Sequence, residues 1–225
     1  LRVDRTSPTW VGAEDDRITI YDVDPGSHEI HLGHLGSEHE IVVFSAYVPA
    51  GGEVLLDPVN LLPVKPFEVR VKDAQGGPVR AHLNAHRADV AASVPTEFWP
   101  GAGSTDGSGE ANITSVGEGL VWVQVHLLGR RLWFTAEIDT STETRLELVV
   151  PEATEVVVRR GVSESTARFD LLDPHGVPLN TLGLFGGTLW LPPGTYTLRS
   201  REPGAALHSF VVGVDPVSLN LEDYL

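Results

Sequence analysis

The chain has 225 residues, 41% of them hydrophobic, with a formal net charge of −15. That length allows one large domain or two to three small ones, and no apolar run approaches the ~20 residues of a membrane span. Cysteine is absent, which excludes disulfides, thiol nucleophiles and Cys-based zinc sites, and an acidic surface without a basic, aromatic-studded stripe argues against nucleic acid.

Strand signals run the length of the chain, and helical periodicity is nearly absent. Arg17 to Val23, His28 to Leu32, Glu40 to Val48 and Glu53 to Leu56 alternate or are β-branched. The same holds for Phe67 to Val71, Ala111 to Val116, Leu120 to Leu127, Leu132 to Ile138 and Thr144 to Val149. Ala81 to Ala92 is the richest helix-forming stretch, although it alternates at first. The last part offers Thr154 to Val158, Thr166 to Leu172, Thr188 to Leu191, Thr195 to Ser200, Leu207 to Val212 and Val217 to Leu221. Short strands punctuated by Gly, Pro and Asp predict an all-β protein of tandem small antiparallel β-sandwiches.

A motif occurs three times. It reads Asp22 to Ile30, Ser115 to Val123 and Trp190 to Leu198, each with an apolar residue, a short turn ending in Gly, and an alternating strand. Gly26, Gly119 and Gly194 align, as do Val23, Val116 and Leu191. A second motif, Asp73 to Val79, recurs as Asp173 to Leu179: a strand runs into Asp, a Gly-containing turn and a Pro. Gly supplies the positive φ of a tight turn, and Pro can open the next strand.

The Pro-bearing stretches Leu62 to Pro66 and Val150 to Ala153 then divide the chain. Residues 1–62 form a partial or degenerate unit, 66–150 a sandwich with a long loop, and 152–225 a shorter sandwich. The spacing from Asp73 to Gly119 exceeds that from Asp173 to Gly194, which places an insertion around Asp89 to Gly109. Pro-limited linkers predict restricted angles between units and an elongated, rod-like molecule. The chain lacks Met and begins abruptly, so we expect a piece of a longer protein.

The pattern of apolar strand, Asp, Gly, Pro, then Thr105 to Ala111, then apolar residue, turn and alternating strand resembles the carboxypeptidase regulatory-like domains. These are prealbumin-like sandwiches, also grouped with carbohydrate-binding-like folds and related to collagen-adhesin B-type repeats. The resemblance is carried by Val69 to Val79, Thr105 to Ala111 and Val116 to Val123, and again by Phe169 to Leu179 and Leu189 to Leu198. It implies non-catalytic modules, commonly exported and appended to other domains, with no catalytic residue to carry over. Collagen-adhesin relatives often carry a Lys–Asn crosslink; Lys72 stands near the right strand, but the closing strand has no Asn, so none is expected here.

Two constellations invite a ligand. Phe98 and Trp99, in the Gly-rich insertion, could stack on a sugar ring. His31, His39 and Glu29 or Glu40 could hold a metal ion across a hairpin turn, whereas His28 falls on the opposite, core-facing side of its strand. Asp106, Ser108 and Glu110 have the spacing of a calcium loop without its remaining ligands, and read as a turn. Trp122, Trp133 and Trp190 lie on strands and read as core or inter-domain contacts. No nucleophile signature is present, and no cofactor is expected.

The expected function is a non-catalytic spacer or protein-interaction segment of a larger exported or surface protein, bacterial by its Arg-over-Lys bias. Its partners are neighbouring domains of the longer chain and a protein or glycan ligand, without nucleic acid or membrane insertion. A carbohydrate-binding module using Phe98 and Trp99 is the alternative, and a metal-binding module using the N-terminal histidines the third.

Overall fold

The computed structural model describes residues 2–3, 10–14, 17–21, 23–32, 40, 42–55, 61–91, 101–127, 129–159, 169–182, 187–200 and 207–224. The first strands are β1 (Arg2–Val3), β2 (Trp10–Glu14), β3 (Arg17–Tyr21), β4 (Gly26–Leu32) and β5 (Val42–Val48). A middle set follows: β6 (Phe67–Lys72), β7 (Ala81–Arg87), β8 (Gly101–Ser104), β9 (Glu110–Ile113), β10 (Leu120–Leu127), β11 (Leu132–Asp139) and β12 (Arg145–Val149). The last set is β13 (Thr154–Arg159), β14 (Phe169–Leu172), β15 (Pro178–Leu182), β16 (Gly187–Leu191), β17 (Gly194–Ser200), β18 (Leu207–Val212) and β19 (Val217–Asn220). One helical turn, α1 (Ala88–Ala91), and a terminal 3-10 turn, Leu221–Tyr224, are the helical elements described. The protein is all-β, as its alternation predicts.

The middle and last sets have the same topology. In each, the first strand lies in a three-stranded arrangement, parallel to the closing strand and antiparallel to the fourth: β12-β6-β9 and β19-β13-β16. In each, four strands form the facing layer, β11-β10-β7-β8 and β18-β17-β14-β15. Each pair of layers encloses its own apolar core. The middle core contains Phe67, Val69, Val71, Leu83, Val121, Val123, Val125, Phe134 and Ile138 among others. The last contains Val156, Val158, Phe169, Leu171, Leu189, Leu191, Tyr196 and Leu198 among others. At the N-terminal end, β4 pairs with β1 and β5, as β10 pairs with β7 and β11, and β2 pairs with β3.

The glycine motif is therefore a topological marker: it introduces β4, β10 and β17, each the first strand of a hairpin and paired on both sides. Gly26 and Gly119 hold positive φ values of 139° and 121°, whereas a Cβ on Gly194 would lie 2.7 Å from the Pro174 ring. One sequence position thus meets two different needs.

The aspartate motif is not such a marker, and the expectation built on it is corrected. The two turns are locally alike. Asp73 Oδ1 accepts from the Gln75 and Gly77 amides at 2.9 and 2.7 Å. Asp173 Oδ1 accepts from His175 and Val177 at 2.8 and 2.7 Å. Gly76 and Gly176 supply φ values of 85° and 81°. Yet the first turn joins β6 to β7, strands of different layers, while the second joins β14 to β15 within one layer. The same turn chemistry closes two non-equivalent connections. The insertion shrinks accordingly: from the start of β7 to Gly119 is 38 residues, and from the start of β14 to Gly194 is 25. The surplus falls after Arg87.

Other readings also change. Ala81–Arg87 is a strand, because Ala81, Leu83 and Ala85 alternate into the core, and helix is confined to one turn beyond it. Glu53–Leu55 is not in a strand. β15 and β8 were not legible as strands.

Candidate functional site

Three of the polar side chains that the fold buries, Glu40, Gln124 and Asp173, stand at two junctions between sets of strands. The first is built on Glu40. Its carboxylate is 2% exposed, and it accepts from the Leu62 amide through Oε1 and the Gly117 amide through Oε2, each at 3.1 Å. Arg87 Nη1 donates to Oε1 at 2.5 Å, and the same guanidinium also pairs with Asp89. Burial opposes the Arg87 charge, but the hydrogen bonds it donates to Asp89 and Glu40 outweigh it and raise the pKa. A carboxylate buried this deeply is tolerated because each oxygen has a donor. Gly117 is required by closeness: a Cβ there would lie 2.5 Å from Glu40 Oε2.

The linker between these sets is not free chain. Lys65 N donates to Val116 O at 3.0 Å, Glu118 N to Pro63 O at 3.2 Å, and Val64 bridges Gly117. The Leu62–Pro66 linker is thus strapped along the turn that opens β10.

The second junction joins the middle and last sets through a shared sheet. β11 pairs in parallel with β16 at Leu132 and Trp190, and Trp190 N donates to Arg131 O at 3.0 Å. The result is one seven-stranded sheet, β19-β13-β16-β11-β10-β7-β8. Along β11, Leu132 and Phe134 enter the middle core, while Trp133, on the other face, packs against the last core. The two cores therefore lie on opposite faces of a common sheet.

The outer face of β10 receives the last set. Alternation sends Val121, Val123, Val125 and Leu127 inward, and Trp122, Gln124 and His126 outward. Gln124 would be read as solvent-facing, yet it is 0% exposed. It accepts from Asn84 Nδ2 at 2.8 Å, and its own amide donates to Pro178 O at 3.3 Å and to Leu179 O. Asp173 adds the neighbouring contact. One oxygen organises its own turn, and the other accepts from Thr135 Oγ1 on β11. Trp122 lies 5.3 Å from the His175 ring. A buried carboxamide with both ends matched holds the two sandwiches in one register.

The residues singled out from sequence fare unevenly. Phe98, Trp99 and His39 lie outside the described residues. Glu29 and His31 are placed only as backbone, in β4 opposite Ser45 and Val43. His28 Nε2 bonds Asp24 O at 2.6 Å. Among the described residues no group of three or more His, Asp or Glu side chains could hold a metal. Asp106 accepts from Ser108 N and Glu110 N at 2.8 and 3.1 Å, the turn reading of that segment. Lys72 Nζ pairs with Glu147 Oε2 at 2.8 Å on the closing strand. Trp122 and Trp133 reach the last set of strands through their side chains, whereas Trp190 meets β11 through its backbone and is 37% exposed. Glu40, an alternative metal ligand by sequence, has its carboxylate taken up by Leu62, Gly117 and Arg87 instead. Sequence reasoning missed Gln124 and Thr135, whose bonds depend on partners far along the chain.

No protein-family model and no curated protein matches this chain. Three solved structures are distantly similar. The Bacillus anthracis TIE protein has 14% identity and a TM-score of 0.30; the match covers 93% of this chain and 44% of that one. A streptococcal ancillary pilin has 15% identity and a TM-score of 0.27, over 93% and 79% of the two chains. GBS52, the minor pilin of Streptococcus agalactiae, has 12% identity and a TM-score of 0.29, over 68% and 94%. This chain thus spans less than half the length of the first of these. The fold and the junctions rest on the strand pairing and contacts described above.

Proposed function

We propose that this chain is a non-catalytic spacer or protein-interaction segment of a larger exported or surface protein. It would be built of three domains at 1–62, 66–150 and 152–225, of the carboxypeptidase regulatory-like type. The observation that carries this reading is the seven-stranded sheet running from the middle sandwich into the last. A spacer must resist bending, and a hydrogen-bonded strand junction with a buried Gln124 resists bending better than a short Pro linker alone. Glu40, Gln124 and Asp173 direct their polar atoms at backbone and side chains across junctions rather than into a cleft. Repetition of one topology in two sandwiches fits a chain that lengthens by adding units. No helix among the described residues is long and apolar enough to cross a membrane.

Small-angle scattering tests this reading. An extended, rigid particle is expected, with neighbouring domains of a longer chain or a protein ligand as partners. A profile fitted only by freely reorienting beads would overturn it.

Glycan binding through Phe98 and Trp99 is the second reading. In sequence the pair falls between α1 (Ala88–Ala91) and β8 (Gly101–Ser104), within the Gly-rich insertion.

A further inference from the structure

We propose that His82 and His126 form a binding site for a divalent transition-metal ion such as Zn²⁺, Ni²⁺ or Cu²⁺ on the outer face of the shared sheet. This goes beyond the spacer reading and does not depend on it. The two residues stand directly opposite each other on neighbouring antiparallel strands, β7 and β10, so both side chains leave the same face. Their ring centroids are 6.3 Å apart. With metal–nitrogen bonds of about 2.0–2.1 Å, a ring centre stands roughly 3.2 Å from the ion, so two imidazoles can share one ion at separations up to roughly 6.4 Å. The observed separation falls just inside that limit, and a change in the exposed His82 side chain that brings the ring centres together by about 1 Å, pivoting on the Ser104 contact, takes the angle at the ion toward tetrahedral.

Both rings are already oriented. His82 Nδ1 lies 2.6 Å from Ser104 Oγ, which fixes the ring and leaves Nε2 to bind. A ligating His is commonly held through its other nitrogen in this way. His126 is stacked on Trp133 at 3.8 Å and 4°, a contact that uses the ring face and leaves the in-plane nitrogens available. His126 is partly buried, with His82 and Arg131 as its charged neighbours. Arg131 opposes a cation locally, whereas the net charge of −15 favours one at long range. The protein supplies two ligands and water the others, which makes the site open and exchangeable. Because Trp133 beneath His126 packs against the last core, an ion here also braces the second junction.

Calorimetric titration of the full chain with ZnCl₂ tests the proposal, using wild type, His82→Asn, His126→Asn and Ser104→Ala. One saturable site is expected, weakened at least about tenfold in each His variant and less in Ser104→Ala. His82 is exposed, so His82→Asn should keep the wild-type melting temperature without metal. That variant carries the test even where His126→Asn disturbs the Trp133 stack. Zinc binding that survives unchanged in His82→Asn places the ion elsewhere, at the N-terminal histidines for instance, and overturns the proposal. So does the absence of saturable binding to wild type.

Discussion

Replacing Gln124 by Met isolates the polar half of the second junction. Met matches the volume of Gln, so the packing term is small. What is lost is the bond from Asn84 and the bonds to Pro178 O and Leu179 O. The Leu179 carbonyl facing Gln124 then lacks its donor, at about 1–3 kcal/mol for a buried orphan. Asn84 is half-buried and can turn toward water, so its loss adds little. We expect a total of about 2 kcal/mol, or a melting temperature lower by roughly 4–8 °C in a chain of this size. Thermal unfolding by circular dichroism or calorimetry reads this directly. Gln124→Ala should fall further, because it adds a cavity. A Gln124→Met protein that melts within about 1 °C of wild type would refute the claim that this side chain locks the junction.

The first junction makes its own prediction: Gly117→Ala must displace the Glu40 carboxylate from 2.5 Å. Overpacking of that kind costs about 1–3 kcal/mol, measured by denaturant unfolding. A second prediction concerns pH. Burial lowers the His86 pKa from 6.5 to about 4. The unfolded chain therefore takes up a proton in that window while the folded chain does not. Stability is full above pH 6.5 and falls as pH drops through about 4, by about 3 kcal/mol in total. A wild-type profile flat between those values would contradict it. Tyr196 OH donates to Pro192 O at 2.8 Å, so Tyr196→Phe should cost about 1 kcal/mol by the same denaturant assay. If the glycan reading holds, Trp99→Ala abolishes binding on a glycan panel without lowering the melting temperature; a structural Trp99 does the reverse.

The strands were legible because their two-residue period is local. Leu120 to Leu127 shows it plainly: four apolar residues turn inward and three polar or aromatic ones outward. The glycine motif also survived, because the start of a hairpin imposes the same local demand each time. The aspartate motif misled because a carboxylate cap on a tight turn is local chemistry that any connection can use. The second oxygen of Asp173 goes to Thr135, a contact that no reading of the turn itself contains. Gln124 was invisible, and Glu40 legible only as a possible metal ligand, for the same reason. Their polarity signals a surface, and only the arrival of Leu179 on one, and of Leu62, Arg87 and Gly117 on the other, makes that surface an interior. Ala81–Arg87 looked helical by composition, but core packing of alternate residues outweighs a weak propensity.

The central claim is that the middle and last sandwiches move as one body. The chain has no cysteine, so a pair introduced at exposed Glu143 and Val214 can be spin-labelled without background. Pulsed dipolar spectroscopy on Glu143→Cys/Val214→Cys should give one narrow distance distribution, and Gln124→Met should broaden it. A broad or multimodal distribution in the chain that keeps Gln124 would contradict a rigid shared sheet.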